Sequence, residues 1–159
     1  MRITDALLGE HGVFYAQFDY LEEILSGEWH LACIRHHAAL LAAALVPHAE
    51  IENELLFDPM EAAMGGGSGP PAAMREEHEE IEEQLAEVGM ETDPERARTI
   101  LLDAIRLARI HFEKEERIAF PLAEDVLGNR ALEEQGIEWA NRRRVLIAGT
   151  VRAHSPGPL

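Results

Sequence analysis

The sequence predicts an all-α protein, an up-down-up-down four-helix bundle with an additional short C-terminal helix. Three observations lead there: apolar residues recur at helical spacing, glycine and proline gather between the periodic segments, and no segment has convincing strand alternation.

Thr4 or Asp5 is placed to cap a first helix, whose apolar positions Leu8, Val13, Tyr15, Phe18, Leu21, Ile24 and Leu25 lead to a stop at Ser26-Gly27. A second helix starts near Glu28, passes through the alanine- and leucine-rich stretch Ala38 to Leu45 and runs to about Phe57, where Asp58-Pro59 marks its end. Pro47 lies inside it and removes one backbone hydrogen bond, so a bend is expected just before His48. Residues 59–71 contain the run Gly65-Gly66-Gly67-Ser68-Gly69-Pro70-Pro71 and have the composition of a flexible linker.

Pro71 suits the first turn of helix three, which carries Met74, Ile81, Leu85 and Val88 on one side and stops at Gly89. Thr92-Asp93-Pro94 opens a long fourth helix that reaches Leu127-Gly128, with Pro121 as a second expected kink. A shorter amphipathic helix from Ala131 to about Leu146 and a disordered tail ending Ser155-Pro156-Gly157-Pro158-Leu159 follow. Residues 1–128 therefore read as the bundle and 129–159 as an appended helix and tail.

The chain has 159 residues, of which 47% are hydrophobic, enough for one domain with a real core. Asp and Glu number 30 against 14 Lys and Arg, and the formal charge of −16 works against attraction to phosphate backbones and anionic lipid, so neither nucleic acid nor membrane is an expected partner. A single cysteine, Cys33, excludes an intrachain disulfide and a thiolate-based zinc site, and it is expected to be a small buried apolar residue. No apolar run approaches the ~18–20 residues of a membrane span, and Met1 to Asp5 lack the features of a signal peptide. The expected setting is the reducing cytoplasm.

Eight histidines in a chain with 2 Tyr and 2 Trp need an explanation, since histidine is the side chain most often recruited to metals and proton transfer. Their placement repeats across the linker. The first half reads Glu10-His11, then His48-x-x-x-Glu52, then Phe57; the second reads Glu77-His78, then His111-x-x-x-Glu115, then Phe120. Residues four apart on a helix share a face, so each His-x-x-x-Glu directs an imidazole and a carboxylate at one point. His11 and His78 lie in the first turns of helices one and three, His48 and His111 in the later parts of helices two and four. Antiparallel packing brings all four to one end. Mixed imidazole and carboxylate donors suit iron, manganese or zinc rather than calcium or magnesium. Two carboxylates facing two pairs of histidines predict a bridged dinuclear centre.

These residues resemble the hemerythrin-like HHE cation-binding domain family over about residues 5 to 127, in the order His, His-x-x-x-Glu, His, His-x-x-x-Glu, with Phe57-Asp58-Pro59 and Phe120-Pro121 after the paired motifs. The resemblance implies two iron ions (Fe2+/Fe3+), with His11, His48, His78 and His111 as terminal ligands and Glu52 and Glu115 as bridges. The oxygen-carrying members have a second histidine one turn away on helix three, where this chain has Met74 and Glu82, so redox reaction or sensing is expected rather than oxygen storage. They also place a bridging aspartate where this chain has Glu116. Glu115 has the better helical phase, but a π-bulge would bring in Glu116 instead.

Glu82 reads as a solvated member of an acidic run, with occupation of the missing histidine's place as the alternative. His36 and His37 lie three turns from His48 and read as interfacial or solvated, with support of the metal ligands from behind or a pH-responsive role as the alternative; His30 and His154 read as solvent-facing. The expected function is a non-haem di-iron protein whose small-molecule partner is dioxygen, nitric oxide or peroxide. A metal- or oxygen-responsive sensor or interaction module is the alternative, with iron buffering as a third; the basic cluster Arg142-Arg143-Arg144 belongs to the sensor reading.

Overall fold

The computed structural model describes residues 1–27, 29–66 and 69–146. Gly67 and Ser68 of the expected linker, His154 and the expected disordered tail beyond residue 146 lie outside the described residues. The described residues form helices α1 (Ile3–Ile24), α2 (Leu31–Glu52), α3 (Asp58–Met64), α4 (Pro70–Met90), α5 (Pro94–Lys114) and α6 (Phe120–Arg143), with no strand among them. Two π-helical turns, Asn53–Phe57 and Glu115–Ala119, join α2 to α3 and α5 to α6.

The buried stripes alternate steps of four and three residues, the seam spacing of helices packed nearly parallel to one another. On α1 the stripe is Leu7, His11, Phe14, Phe18, Leu21 and then Leu25 just past its end; on α2 it is Ile34, Ala38, Leu41, Leu45, His48, Glu52. On α4 it is Met74, His78, Ile81, Leu85, Val88; on α5 it is Ala97, Leu101, Ala104, Ala108, His111 and then Glu115. The six candidate residues thus stand at positions that otherwise carry apolar side chains. Arg98 donates to the Leu25 carbonyl (2.9 Å) and Arg35 Nε to the Glu91 carbonyl (3.1 Å), so each helix start meets the end of an opposed neighbour. One apolar cluster, with Phe18 and Leu101, fills the half near those contacts, and a second, with Ile3, Leu56 and Met60, fills the other.

Several expectations change. The N-cap of α1 is Arg2, whose backbone N–H donates to Asp5 Oδ2 at 3.0 Å, while the Thr4 hydroxyl turns inward to Glu124 Oε1, also 3.0 Å away. Leu8 and Val13 are 51% and 60% exposed, because the inward stripe runs one residue out of phase with them. Cys33 is exposed, since it sits one residue ahead of Ile34 in the α2 stripe. The second helix does not end at Asp58-Pro59. A proline ring inside an α-helix clashes with the carbonyl four residues back. The π turn just before it widens the helix, and Pro59 then occupies the first turn of α3. Pro121 is accommodated the same way after Glu115–Ala119. Residues 58–64 are therefore helical rather than linker, and α3 closes at Gly65 with a left-handed φ of 86°, which favours glycine. α2 runs continuously through Pro47.

Gly128 interrupts α6 with φ 74° and ψ 160°, and the chain then resumes as a helix to Arg143 that lies against the start of α1. Gly136 makes that approach possible: a Cβ there would collide with the Met1 carbonyl oxygen and lie 3.1 Å from Arg2 C. No helix among the described residues is long and apolar enough to cross a membrane.

Candidate metal centre

His11, His48, Glu52, His78, His111 and Glu115 all lie in one layer between the two apolar clusters, and none is more than 5% exposed. Their donor atoms divide in a regular way. Glu52 Oε1 lies 3.4 Å from His11 Nε2 and 3.2 Å from His48 Nε2, while its Oε2 lies 3.3 Å from His78 Nε2. Glu115 Oε1 lies 3.1 Å from His111 Nε2 and 3.8 Å from His78 Nε2, while its Oε2 lies 3.4 Å from His11 Nε2. Each carboxylate thus gives one oxygen to each histidine pair. Ligands about 2.1 Å from a shared ion sit roughly 3.0–3.4 Å from one another, close to most of these separations.

The four Nε2 atoms and the four carboxylate oxygens are all buried without a hydrogen-bond partner. A buried unsatisfied polar atom costs about 1–3 kcal/mol, so so many facing one spot would be prohibitive unless something met them there. A cation does so, because it takes a lone pair from each. The donors fall into two overlapping groups, Glu52, His78, His111 and Glu115, and His11, His48 and Glu52. The cluster fits the binding of metal cations.

A surrounding set of acceptors fixes the histidines. His48 Nδ1–H donates to Glu10 Oε2 (2.6 Å), His111 Nδ1–H to Glu77 Oε2 (2.9 Å), His11 Nδ1–H to Glu116 Oε1 (3.0 Å) and His78 Nδ1–H to Asn53 Oδ1 (3.3 Å). A carboxylate or amide oxygen can only accept, which places a proton on Nδ1 and turns Nε2 inward, where it meets a cation once it carries no proton of its own. The anchors are themselves held: Tyr15 donates to Glu116 (3.1 Å), Arg75 to Asn53 (3.2 Å) and Lys114 to Glu77. Rings close the layer. Phe112 stacks on His11 with centroids 3.9 Å apart, and Phe57 and Phe120 flank His78 and His11.

Charges in this buried layer are strongly coupled. Burial penalises the Glu52 carboxylate, but His48 and the other histidines outweigh it and hold the group well below its ordinary range. Burial and the neighbouring Glu52 charge together push Glu115 well above that range. Burial likewise lowers His111, against the opposing pull of Glu52 and Glu77. Two carboxylates so close cannot both ionise comfortably without added positive charge, which a cation supplies.

Glu115, not Glu116, is the inward residue, even though a π turn begins there; Glu116 faces His11 from outside. Glu82 is partly buried and lines a narrow cavity of ≈ 10 Å³ with Leu45, His48, Ala49, His78, Ile81, His111 and Phe112. That is near the roughly 10–15 Å³ that one water needs. His36 is exposed and His37 packs edge-on against Trp29 at the far side, away from the centre. Sequence reasoning did not assign Glu10, Glu77, Asn53 and Glu116 as anchors, nor Tyr15, Trp139 and Arg143. The repeat contained a signal: each of the first two precedes a candidate histidine, and each of the second two follows a candidate glutamate.

Comparison with curated proteins and with solved structures returns no match. The family described as hemerythrin HHE cation binding domain matches residues 2–123, a span that contains all six inward-facing residues and their in-bundle anchors, and the chain belongs to that family.

Proposed function

We propose that the six side chains hold two iron ions and that the pair binds or reacts with dioxygen, nitric oxide or a peroxide. The observation that carries this reading is the division of the carboxylate oxygens, one from each of Glu52 and Glu115 towards His11 and His48 and one from each towards His78 and His111. Carboxylates so divided would serve a pair of cations and offset the repulsion between them. The donor set suits iron, and also accepts manganese or zinc. Iron held by these residues would supply cycling between ferrous and ferric states, the chemistry needed to react with a small ligand.

The chain's own groups do the rest. The Nδ1–H bonds to Glu10, Glu77, Glu116 and Asn53 hold each imidazole in one tautomer. Phe112, Phe57 and Phe120 are buried against the layer and shield it from bulk water. The cavity beside His48, His78 and His111, apolar over nearly all of its lining, admits a molecule of about water size.

The test is metal content per chain in protein purified without added metal, with absorption recorded before and after reduction. Two irons per chain are expected, and anaerobic loading with ferrous iron followed by air should give ferric absorption in the near ultraviolet. Stoichiometric zinc with no oxidisable iron would overturn the reading. Repeated consumption of peroxide or nitric oxide then separates a catalyst from a binder.

A further inference from the structure

The outer anchors repeat across the two halves with one break. Glu77 holds His111 and immediately precedes His78; Glu10 holds His48 and immediately precedes His11. Lys114, three residues after His111, pairs with Glu77. The equivalent position, three residues after His48, is Ile51, which is buried in the second apolar cluster. The first half therefore has no cation of its own at the place where the second half has Lys114.

The helix after Gly128 supplies one. Arg143 donates from Nε to Glu10 Oε1 (2.7 Å) and from Nη2 to Glu10 Oε2 (3.0 Å), and Trp139 Nε1 donates to Oε1 (2.9 Å). Arg143 Nη2 also reaches the Pro47 carbonyl at 3.4 Å, beside His48. A two-point arginine grip fixes both the position and the plane of a carboxylate, which a single ammonium does not. Trp139 and Arg143 both lie beyond residue 123, where the family match ends.

We propose that the C-terminal part of α6 is a working part of the metal centre: Trp139 and Arg143 are positioning residues that hold Glu10 against His48, so that cation binding on the His11–His48 side and docking of residues 129–143 strengthen each other. This rests on the ligand set proposed above. Such coupling is reciprocal, so whatever lifts this helix weakens cation binding on that side, and cation binding there holds the helix down. The His78–His111 side is anchored from within the bundle, through Lys114 on Glu77 and Arg75 on Asn53, and neither Trp139 nor Arg143 bonds to those anchors.

The experiment titrates the metal-free full chain with cobalt(II) against a competing chelator, following visible absorption, and measures hydrogen exchange of residues 129–143 at each stage. Two cobalt ions per chain are expected, with slower exchange in 129–143 once they are bound. Trp139→Phe combined with Arg143→Met should weaken one of the two sites by roughly 10–100-fold and spare the other. Arg143→Lys should fall between that variant and the natural chain. Arg130→Met, which loses only an exposed pair with Glu134 on the same helix, should match the natural chain. Two cobalt ions bound with unchanged exchange in 129–143, or equal effects of the double variant on both sites, would overturn the proposal and leave the ligand set standing. No cobalt bound at all would overturn both. If the double variant does not fold, the exchange comparison in the natural chain decides alone.

Discussion

Phe112 and Glu10 act on the centre from its two sides, one by packing and one by charge. The Phe112 ring lies 8° from parallel with His11 and also meets Phe14, Phe18 and Tyr15, so it joins the polar layer to the larger apolar cluster. Phe112→Ala should destabilise the protein by about 3–5 kcal/mol, because little around it can collapse into the space; a urea midpoint unchanged from the natural chain would refute this. Burial alone would raise the Glu10 carboxyl, but His48 and Arg143 outweigh it and bring the group from its ordinary 4.5 to about 2. Burial alone would lower His48, but Glu52 and Glu10 outweigh it and raise the group from 6.5 to about 10. A lowered carboxyl contributes stability that is fully present above 4.5 and lost as the pH falls through 2; a raised imidazole contributes stability that is fully present below 6.5 and lost as the pH rises through 10. In metal-free protein the pair therefore contributes most between pH 4.5 and 6.5. Glu10→Gln should flatten the acid side of the stability curve and weaken the alkaline side. Urea unfolding in the presence of chelator checks it, and parallel curves for the two proteins would count against the pair.

At the scale of elements, the two π turns and the docked C-terminal helix are the features that local sequence pattern does not carry. The turns Asn53–Phe57 and Glu115–Ala119 use residues with no helix-breaking chemistry, and the prolines that accompany them, Pro59 and Pro121, read in isolation as a stop and a kink. Their effect is one of phase: each widened turn lets the chain pass its proline and keep Phe57 and Phe120 buried against the centre. The helix beyond Gly128 was legible as a helix, but its partner was not, because Arg143 meets Glu10 across a separation of 133 residues. Its docking depends on Gly136. Gly136→Ala should push the helix from the α1 start and destabilise the chain by about 1–3 kcal/mol, since the atoms it meets are backbone and cannot rotate away. Thermal unfolding at equal metal content measures the loss, and an unchanged or raised midpoint would mean that the helix can shift without cost.

Across the whole molecule, the six inward residues were legible because they break a rule that the rest of the chain obeys. His11, His48, Glu52, His78, His111 and Glu115 fall in the four-three stripes that otherwise carry Leu, Ile, Phe, Met, Val or Ala, and no solvated face gives that phase. The outer anchors were less legible, since Glu10 and Glu77 look like any surface glutamate on a chain of net charge −16 until the opposing helix is in place. The same burial sets the last expectation. In the metal-free chain eight inward donor atoms lack partners, and the buried Glu52 and Glu115 crowd one another, so the folded state carries a strain that the unfolded chain, with these groups in water, does not. A cation that binds only the folded state stabilises it by about 2.7 kcal/mol at a free concentration a hundred times its Kd. For a chain of this size each kcal/mol moves the melting midpoint by about 2–4 °C, so one filled site should be worth roughly 5–11 °C and a second should add to it. Scanning calorimetry of the native protein against the chelator-treated protein, followed by ferrous iron added back without oxygen, should show the midpoint fall and return. The high net negative charge should make the metal-free midpoint rise with salt, through screening of self-repulsion, while the increment from metal persists because the donors are buried. Identical midpoints with and without metal, at any salt, would mean that the layer is satisfied by something other than a cation.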